Sequence, residues 1–217
     1  MTPAHRLSLL TAEPTWRGRA LSGRAVDLLA VLAGGEDAWT GDGALIAALW
    51  PDDPPTHPLR ALHVVVSRAR ALVGEGVVER VGDGYRLALP VAAVDARDLA
   101  DRAVRARASA DASRWDRVLE LTDDLPMPAE ADADDVAPVA DAAPLVVLRE
   151  RAARHAWRAR RDRALALEAT GECERALPLL RAAARRDGSD EARIKAVLDR
   201  SFLDETRRLI RCTGKSG

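Results

Sequence analysis

PLRALHVVVSRARAL, residues 58–72, followed by GDGYRLAL, residues 82–89, is the part of this chain that decides its fold. The first stretch has helical spacing: Leu59, Leu62, Val66, Ala69 and Val73 fall on one face at intervals of three and four. The opposite arc carries Arg60, His63, Val64, Ser67, Arg68 and Arg70, and no Asp or Glu occurs between Pro58 and Val73. An apolar stripe backed by an acid-free basic face is what a helix needs to lie in a DNA major groove. The second stretch reads as a hairpin, with β-rich runs at Val77–Val81 and Tyr85–Leu89 around Gly82-Asp83-Gly84. Asp-Gly suits a primed turn, and this reading gives the positive φ to Gly84.

Working outward, Arg6–Leu10 and Thr15–Leu21 read as short strands separated by Glu13-Pro14, with a turn at Arg17-Gly18. Ser22 is placed to cap a first helix whose Ala25, Leu28, Leu29 and Leu32 form one apolar face before Gly34-Gly35 stops it. A second helix starts near Thr40 or Gly41, buries Leu45, Ile46, Leu49 and Trp50, and ends at Pro51. PDDPPTHP is a rigid link, and Pro58 suits the first turn of the third helix. Beyond the hairpin Pro90 closes the domain. Asp95, with Asp98 three residues later, starts a further helix in near capping-box fashion. A helix near Ser113–Leu121 would bury Trp115, Val118 and Leu119.

Two helices, a basic helix bearing VSRxR (here Val66-Ser67-Arg68-Ala69-Arg70) and a hairpin ending in GYRL resemble the OmpR-like winged helix. More narrowly, they resemble the N-terminal half of the SARP or AfsR-like transcriptional regulators. The resemblance spans roughly Arg6 to Leu198. It implies an α+β fold: an N-terminal winged helix-turn-helix at 1–92, then an all-α, tetratricopeptide-like helical domain at 93–217, C-terminally shortened. This second part would be a bacterial transcriptional activator domain. The implied function is sequence-specific binding of double-stranded DNA, as an activator of a biosynthetic gene cluster acting at promoter direct repeats. The implied partners are DNA, RNA polymerase and a second copy of the chain on DNA.

Candidate DNA-binding residues follow from that reading. Arg68 and Arg70 occupy the two arginine positions of VSRxR, where a guanidinium can fork onto guanine O6 and N7 or grip phosphate. Arg60, His63, Val64 and Ser67 complete the outward face. Val64 lies almost opposite the core face, where an exposed valine has no structural purpose, and is placed to meet a thymine methyl. His63 points to the groove side, and one His does not define base contact, metal binding or pH sensing. Gly84 turns the wing, and Arg86 is placed to reach a minor-groove or backbone phosphate. Tyr85 and Trp50 read as packing residues.

After the winged helix the character changes. Residues 123–144 hold seven acids, four prolines and no Lys or Arg, the composition of an exposed loop or linker. The resembled domain carries a Trp-x-Gly turn in this region, and this chain lacks it. With Gly171 as a repeat glycine, Leu167, Cys173, Ala176, Leu177, Leu180 and Ala183 fall at tetratricopeptide packing positions. Pro178 then sits inside a helix, where it costs ~3 kcal/mol. Residues 149–163 hold seven Arg against two acids, read as a solvated repeat helix, with a second nucleic-acid surface as the alternative. The terminal TGKSG lacks both the upstream glycine (Leu209 stands there) and the following helix of a phosphate-binding loop.

Composition sets limits on these readings. The net charge is −1, and residues 1–90 hold nine Arg against ten acids, so a DNA reading rests on local segregation of charge. Only seven aromatics occur, five of them Trp, so aliphatic residues must supply the core. Cys173 and Cys212 have no disulfide or zinc spacing, which suits a reducing cytoplasm. No run approaches the ~18 apolar residues of a membrane span, so no membrane partner is expected. His5, His57, His63 and His155 are scattered and no nucleophile or paired-acid constellation accompanies them. The expectation is therefore no enzyme, cofactor or metal. The competing reading is a helical-repeat protein-interaction module whose winged helix does not bind DNA.

Overall fold

A computed structural model describes residues 6–35, 39–126 and 143–187, with side chains in the last helix as far as residue 182. Strands β1 (Leu7–Ser8), β2 (Thr15–Trp16) and β3 (Arg19–Ala20) form an antiparallel sheet in that order. The expected Thr15–Leu21 strand is thus itself a hairpin. Its turn holds Arg17 and Gly18 at φ 49° and 80°, both positive as a type I′ turn demands.

The winged helix follows as α1 (Arg24–Gly34), β4 (Thr40–Gly41), α2 (Asp42–Leu49), α3 (Pro58–Val73), β5 (Val78–Val81) and β6 (Gly84–Leu87). β6 lies between β4 and β5, antiparallel to both. Two expectations change here. Ser22 does not cap α1: Gly23, at φ 74°, is its N-cap and no side chain bonds there. Thr40 and Gly41 belong to a strand rather than to α2, because their backbone pairs with Tyr85 and Gly84.

The chain then runs through α4 (Asp95–Asp111), α5 (Trp115–Thr122), α6 (Pro144–Ala169) and α7 (Cys173–Asp187). It forms two compact units, Met1–Asp101 with Asp124–Ala156, and Arg102–Asp123 with Trp157–Gly217. No helix of the described residues is long and apolar enough to cross a membrane.

In the first unit the core is aliphatic. Leu28 and Leu29 of α1, Leu45 and Leu49 of α2, and Leu62, Val66 and Ala69 of α3 are buried together with Leu7, Leu9, Leu10, Val78 and Leu87. Each buried leucine or valine contributes roughly 1.5–3 kcal/mol. Leu148, Ala152 and Ala156 of α6 join the same core. Leu59 departs from the expected apolar stripe of α3: it is 54% exposed, and Val65 is buried in its stead. The stripe is therefore rotated by part of a turn relative to the sequence reading.

Three charged side chains tie this unit together. The Asp95 carboxylate accepts hydrogen bonds from Leu9 N (2.9 Å), Leu10 N (2.8 Å) and Ala96 N (2.7 Å). It pins the end of the first sheet to the start of α4, so its role is long-range and not only that of a capping box. Arg97 donates to Leu32 O (2.7 Å) and Ala33 O (3.3 Å) at the C-terminus of α1 and to Leu87 O (3.1 Å) at the end of β6. Burial lowers its pKa from the usual guanidinium value. Arg149, first of the arginine-rich run, is buried and donates to Leu9 O (3.0 Å), Thr11 O and Ala12 O (3.2 Å). It is a structural cation.

In the second unit α5 is closed at its C-terminus by two arginines. Arg102 Nε donates to Leu121 O (2.9 Å), and Arg163 donates to Leu119 O (3.2 Å) and Asp123 Oδ1 (3.0 Å). Val118 is buried with Ala110 and Ala166, and Trp115 and Leu119 are partly buried beside them. α6 ends in a Schellman motif: Glu172 N donates to Leu167 O (2.7 Å), Gly171 N to Glu168 O (3.1 Å), and Gly171 takes φ 83°. Leu167, Cys173, Ala176 and Leu180 are buried around that corner, with Leu177 partly so, as the repeat spacing predicts. α7 continues through Pro178. The Ala183 side chain, His5, Cys212, TGKSG and most of the acidic Pro-rich stretch lie outside the described residues.

Candidate nucleic-acid interface

α3 owes its outward face to its buried one. Leu62, Val65, Val66, Ala69 and Val73 turn inward, and this leaves Arg60, His63, Val64, Ser67 and Arg68 exposed on the other side. Pro58 occupies the first turn and no acid stands there. Arg60, Val64 and Arg68 follow one another at intervals of four, about 6 Å apart along the helix axis. Among the described residues neither Arg60 nor Arg68 makes an ion pair.

Arg70 lies at the edge of this face and is only partly buried. Its Nε donates to Val78 O (2.9 Å), and its guanidinium lies over the Tyr85 ring at 5.7 Å. Arg70 therefore fastens the hairpin to α3. Tyr85 is 5% exposed and packs as expected, held between Arg70 and Arg80, whose guanidinium lies 4.7 Å from the ring centroid. His63, Ser67, Arg70, Glu75 and Tyr85 line a hollow of ≈ 420 Å³ between α3 and the hairpin.

The hairpin turn differs from its sequence reading in register. Val81 pairs with Gly84, so Gly82 and Asp83 are the central residues. Gly82 carries the positive φ, 55°, and Gly84 does not; a glycine in the first central position is the type II′ pattern. Gly84 is required for another reason. A Cβ there would stand 2.2 Å from Thr40 O and 2.5 Å from Trp39 Cε3, so only a glycine lets β4 approach β6.

Sequence reasoning missed Arg80. Its Nη1 and Nη2 each lie 2.8 Å from an Asp42 carboxylate oxygen, and its Nε donates to Gly82 O (3.1 Å). The hydrogen bonds to Asp42 raise its pKa further above the usual guanidinium value. The sequence signal was only the alternation of VERV, which turns Glu79 and Arg80 to opposite faces. Arg86 is exposed and paired across the strands with Glu79, Nε to Oε2 at 2.8 Å. Two acids of residues 1–90, Asp42 and Glu79, are thus engaged by the hairpin arginines, while α3 itself carries no acid.

No protein-family model matches the sequence. The regulatory protein AfsR of Streptomyces griseus is 34% identical over 117 residues, which is 50% of this chain and 12% of AfsR. The Streptomyces coelicolor AfsR is 38% identical over 88 residues, 39% of this chain and 9% of that protein. The chain thus spans about a tenth of the length of the curated relatives it matches. EmbR of Mycobacterium tuberculosis, solved in complex with a low-affinity phosphopeptide, superimposes with a TM-score of 0.66 at 22% identity, covering 97% of this chain and 60% of EmbR. The chain is a homologue of the AfsR regulatory proteins, the SARP family, and carries a fold like that of EmbR.

Proposed function

We propose that this chain is a sequence-specific DNA-binding transcriptional regulator in which α3 reads the major groove. The observation that carries the reading is the exposed, acid-free face of α3, where Arg60 and Arg68 make no ion pair among the described residues, beside a hairpin whose own arginines are paired. Arg60, His63, Ser67 and Arg68 offer donors for base edges and phosphate, and Val64 an apolar contact. Arg70 and Gly84 hold the wing in place, and Arg86 joins the DNA contacts by exchanging Glu79 for phosphate. Residues 1–92 serve as the DNA-binding domain and the helical part after it as an activator domain.

Homology to AfsR regulatory proteins supports regulation of transcription. Extended to this chain, it gives activation of a biosynthetic gene cluster from promoter direct repeats, two copies on one DNA face and contact with RNA polymerase, in the cytoplasm and without catalysis. Half-sites about one helical turn apart satisfy that geometry. Fluorescence anisotropy of the purified chain with labelled duplex, from low to moderate salt, tests the reading. The logarithm of the affinity should fall linearly with log salt, by about 0.9 for each phosphate neutralised. Absence of duplex binding at low salt overturns it.

A second reading has one observation in its favour. Arg80 and Arg86 are already paired, so the wing offers little free charge to phosphate. A protein-interaction module with a silent winged helix would bind no duplex under the same conditions.

A further inference from the structure

Val64 stands out on α3 because every neighbour along its row is a cation. Arg60 precedes it and Arg68 follows it at four-residue intervals, and Val64 itself is 45% exposed. Single exposed valines are common and need no explanation by themselves. This one is a β-branched side chain, stiff at χ1, in the middle of the face that carries no acid. It presents a fixed apolar knob between two flexible charged arms.

In the major groove, thymine alone among the bases offers a methyl group, and apolar side chains recognise it by contact. The arginines about 6 Å away on either side are spaced by nearly two base-pair steps, so each can reach a guanine or a phosphate flanking the same position. We infer that Val64 is a specificity-determining residue that reads the 5-methyl group of one thymine, between contacts made by Arg60 and Arg68. This rests on the DNA-binding reading above and assigns one position within it.

The test begins with duplexes selected from a random library by the full chain. In the selected sequence each thymine is replaced in turn by uracil, which removes only the methyl group. At one position the substitution should weaken binding about fourfold, the equivalent of one buried methyl. Val64→Ser should bind the thymine and uracil duplexes alike at that position, with affinity close to that of the parent for uracil. Val64 is not in the core, so the variant should keep the parent's unfolding temperature. The uracil scan of the parent needs no variant at all. If no uracil position alters parent binding, or if Val64→Ser discriminates as the parent does, the assignment is overturned while DNA binding stands. If no duplex is retained from the library, DNA binding and the assignment fall together.

Discussion

Arg80 grips Asp42 through both guanidinium nitrogens, each at 2.8 Å, and so joins β5, the first strand of the wing hairpin, to the first residue of α2. The Arg80 side chain is exposed and Asp42 is partly buried, but the pair is bidentate, and the guanidinium also covers Tyr85. An acid at the N-terminus of a helix is favourable in its own right. The relationship holds the wing at a defined place while removing its charge from competition for DNA.

Arg68→Ala and Arg60→Ala should each weaken binding to a selected duplex by ~1–3 kcal/mol if the side chain reads a base. A side chain that only grips phosphate should instead lower the salt slope by about one. Gel shift at fixed salt, repeated across a salt series, separates the two. Since both side chains are exposed, neither variant should change thermal stability.

Arg70→Ala should behave differently from Arg68→Ala. It removes the hydrogen bond to Val78 O and the contact with Tyr85, so stability should fall by about 1 kcal/mol. Denaturant unfolding measures this directly. A variant as stable as the parent would show that Arg70 does not fasten the wing.

Gly84→Ala should destabilise the fold more than Gly82→Ala. The first forces a Cβ against Thr40 O and Gly41 Cα, and overpacking of this kind costs ~1–3 kcal/mol or more. At Gly82 the space is open and only the left-handed φ is strained, at roughly 1–2 kcal/mol. Melting temperatures of the two variants should rank in that order.

Asp162→Asn should stabilise the second unit at neutral pH. Asp162 is 3% exposed, its Oδ2 has no hydrogen-bond partner, and burial raises its pKa despite Arg107. A carboxyl whose pKa is higher in the folded chain favours folding when protonated. That contribution is fully present below the unfolded-state value and is lost as pH rises through the folded one. The gain from Asn should therefore be larger at pH 7 than near pH 4 in thermal melts. An equal gain at both values would mean that Asp162 ionises as freely in the folded chain as in the unfolded one.

Hydrogen exchange should protect α1 and α3 more strongly than α7. The first unit buries leucines from five helices and two sheets, whereas the described core around α7 leans on Ala164 and Ala176 beside Leu167 and Leu180. Smaller side chains remove less apolar area from water. Equal protection across the helices would contradict this.

Periodicity by itself determined the helices of the winged unit, because Leu28, Leu29, Leu45, Leu49, Leu62, Val66 and Ala69 recur at helical spacing and only one face of each helix can be buried. It also determined the exposure of Arg60, His63, Val64, Ser67 and Arg68, the complement of that buried face, and the corner at Gly171. Contacts distant in sequence lay beyond it. Whether Gly84 is needed for its φ or for the approach of β4 depends on a strand 43 residues earlier, at Gly41, its partner in the ladder. The same holds for Arg149 reaching Leu9 O, Asp95 receiving Leu9 N and Leu10 N, and Arg80 meeting Asp42. Local sequence fixes which way a side chain leaves its own helix or strand, but which partner it meets is set by how the elements pack, and only the tertiary structure decided that.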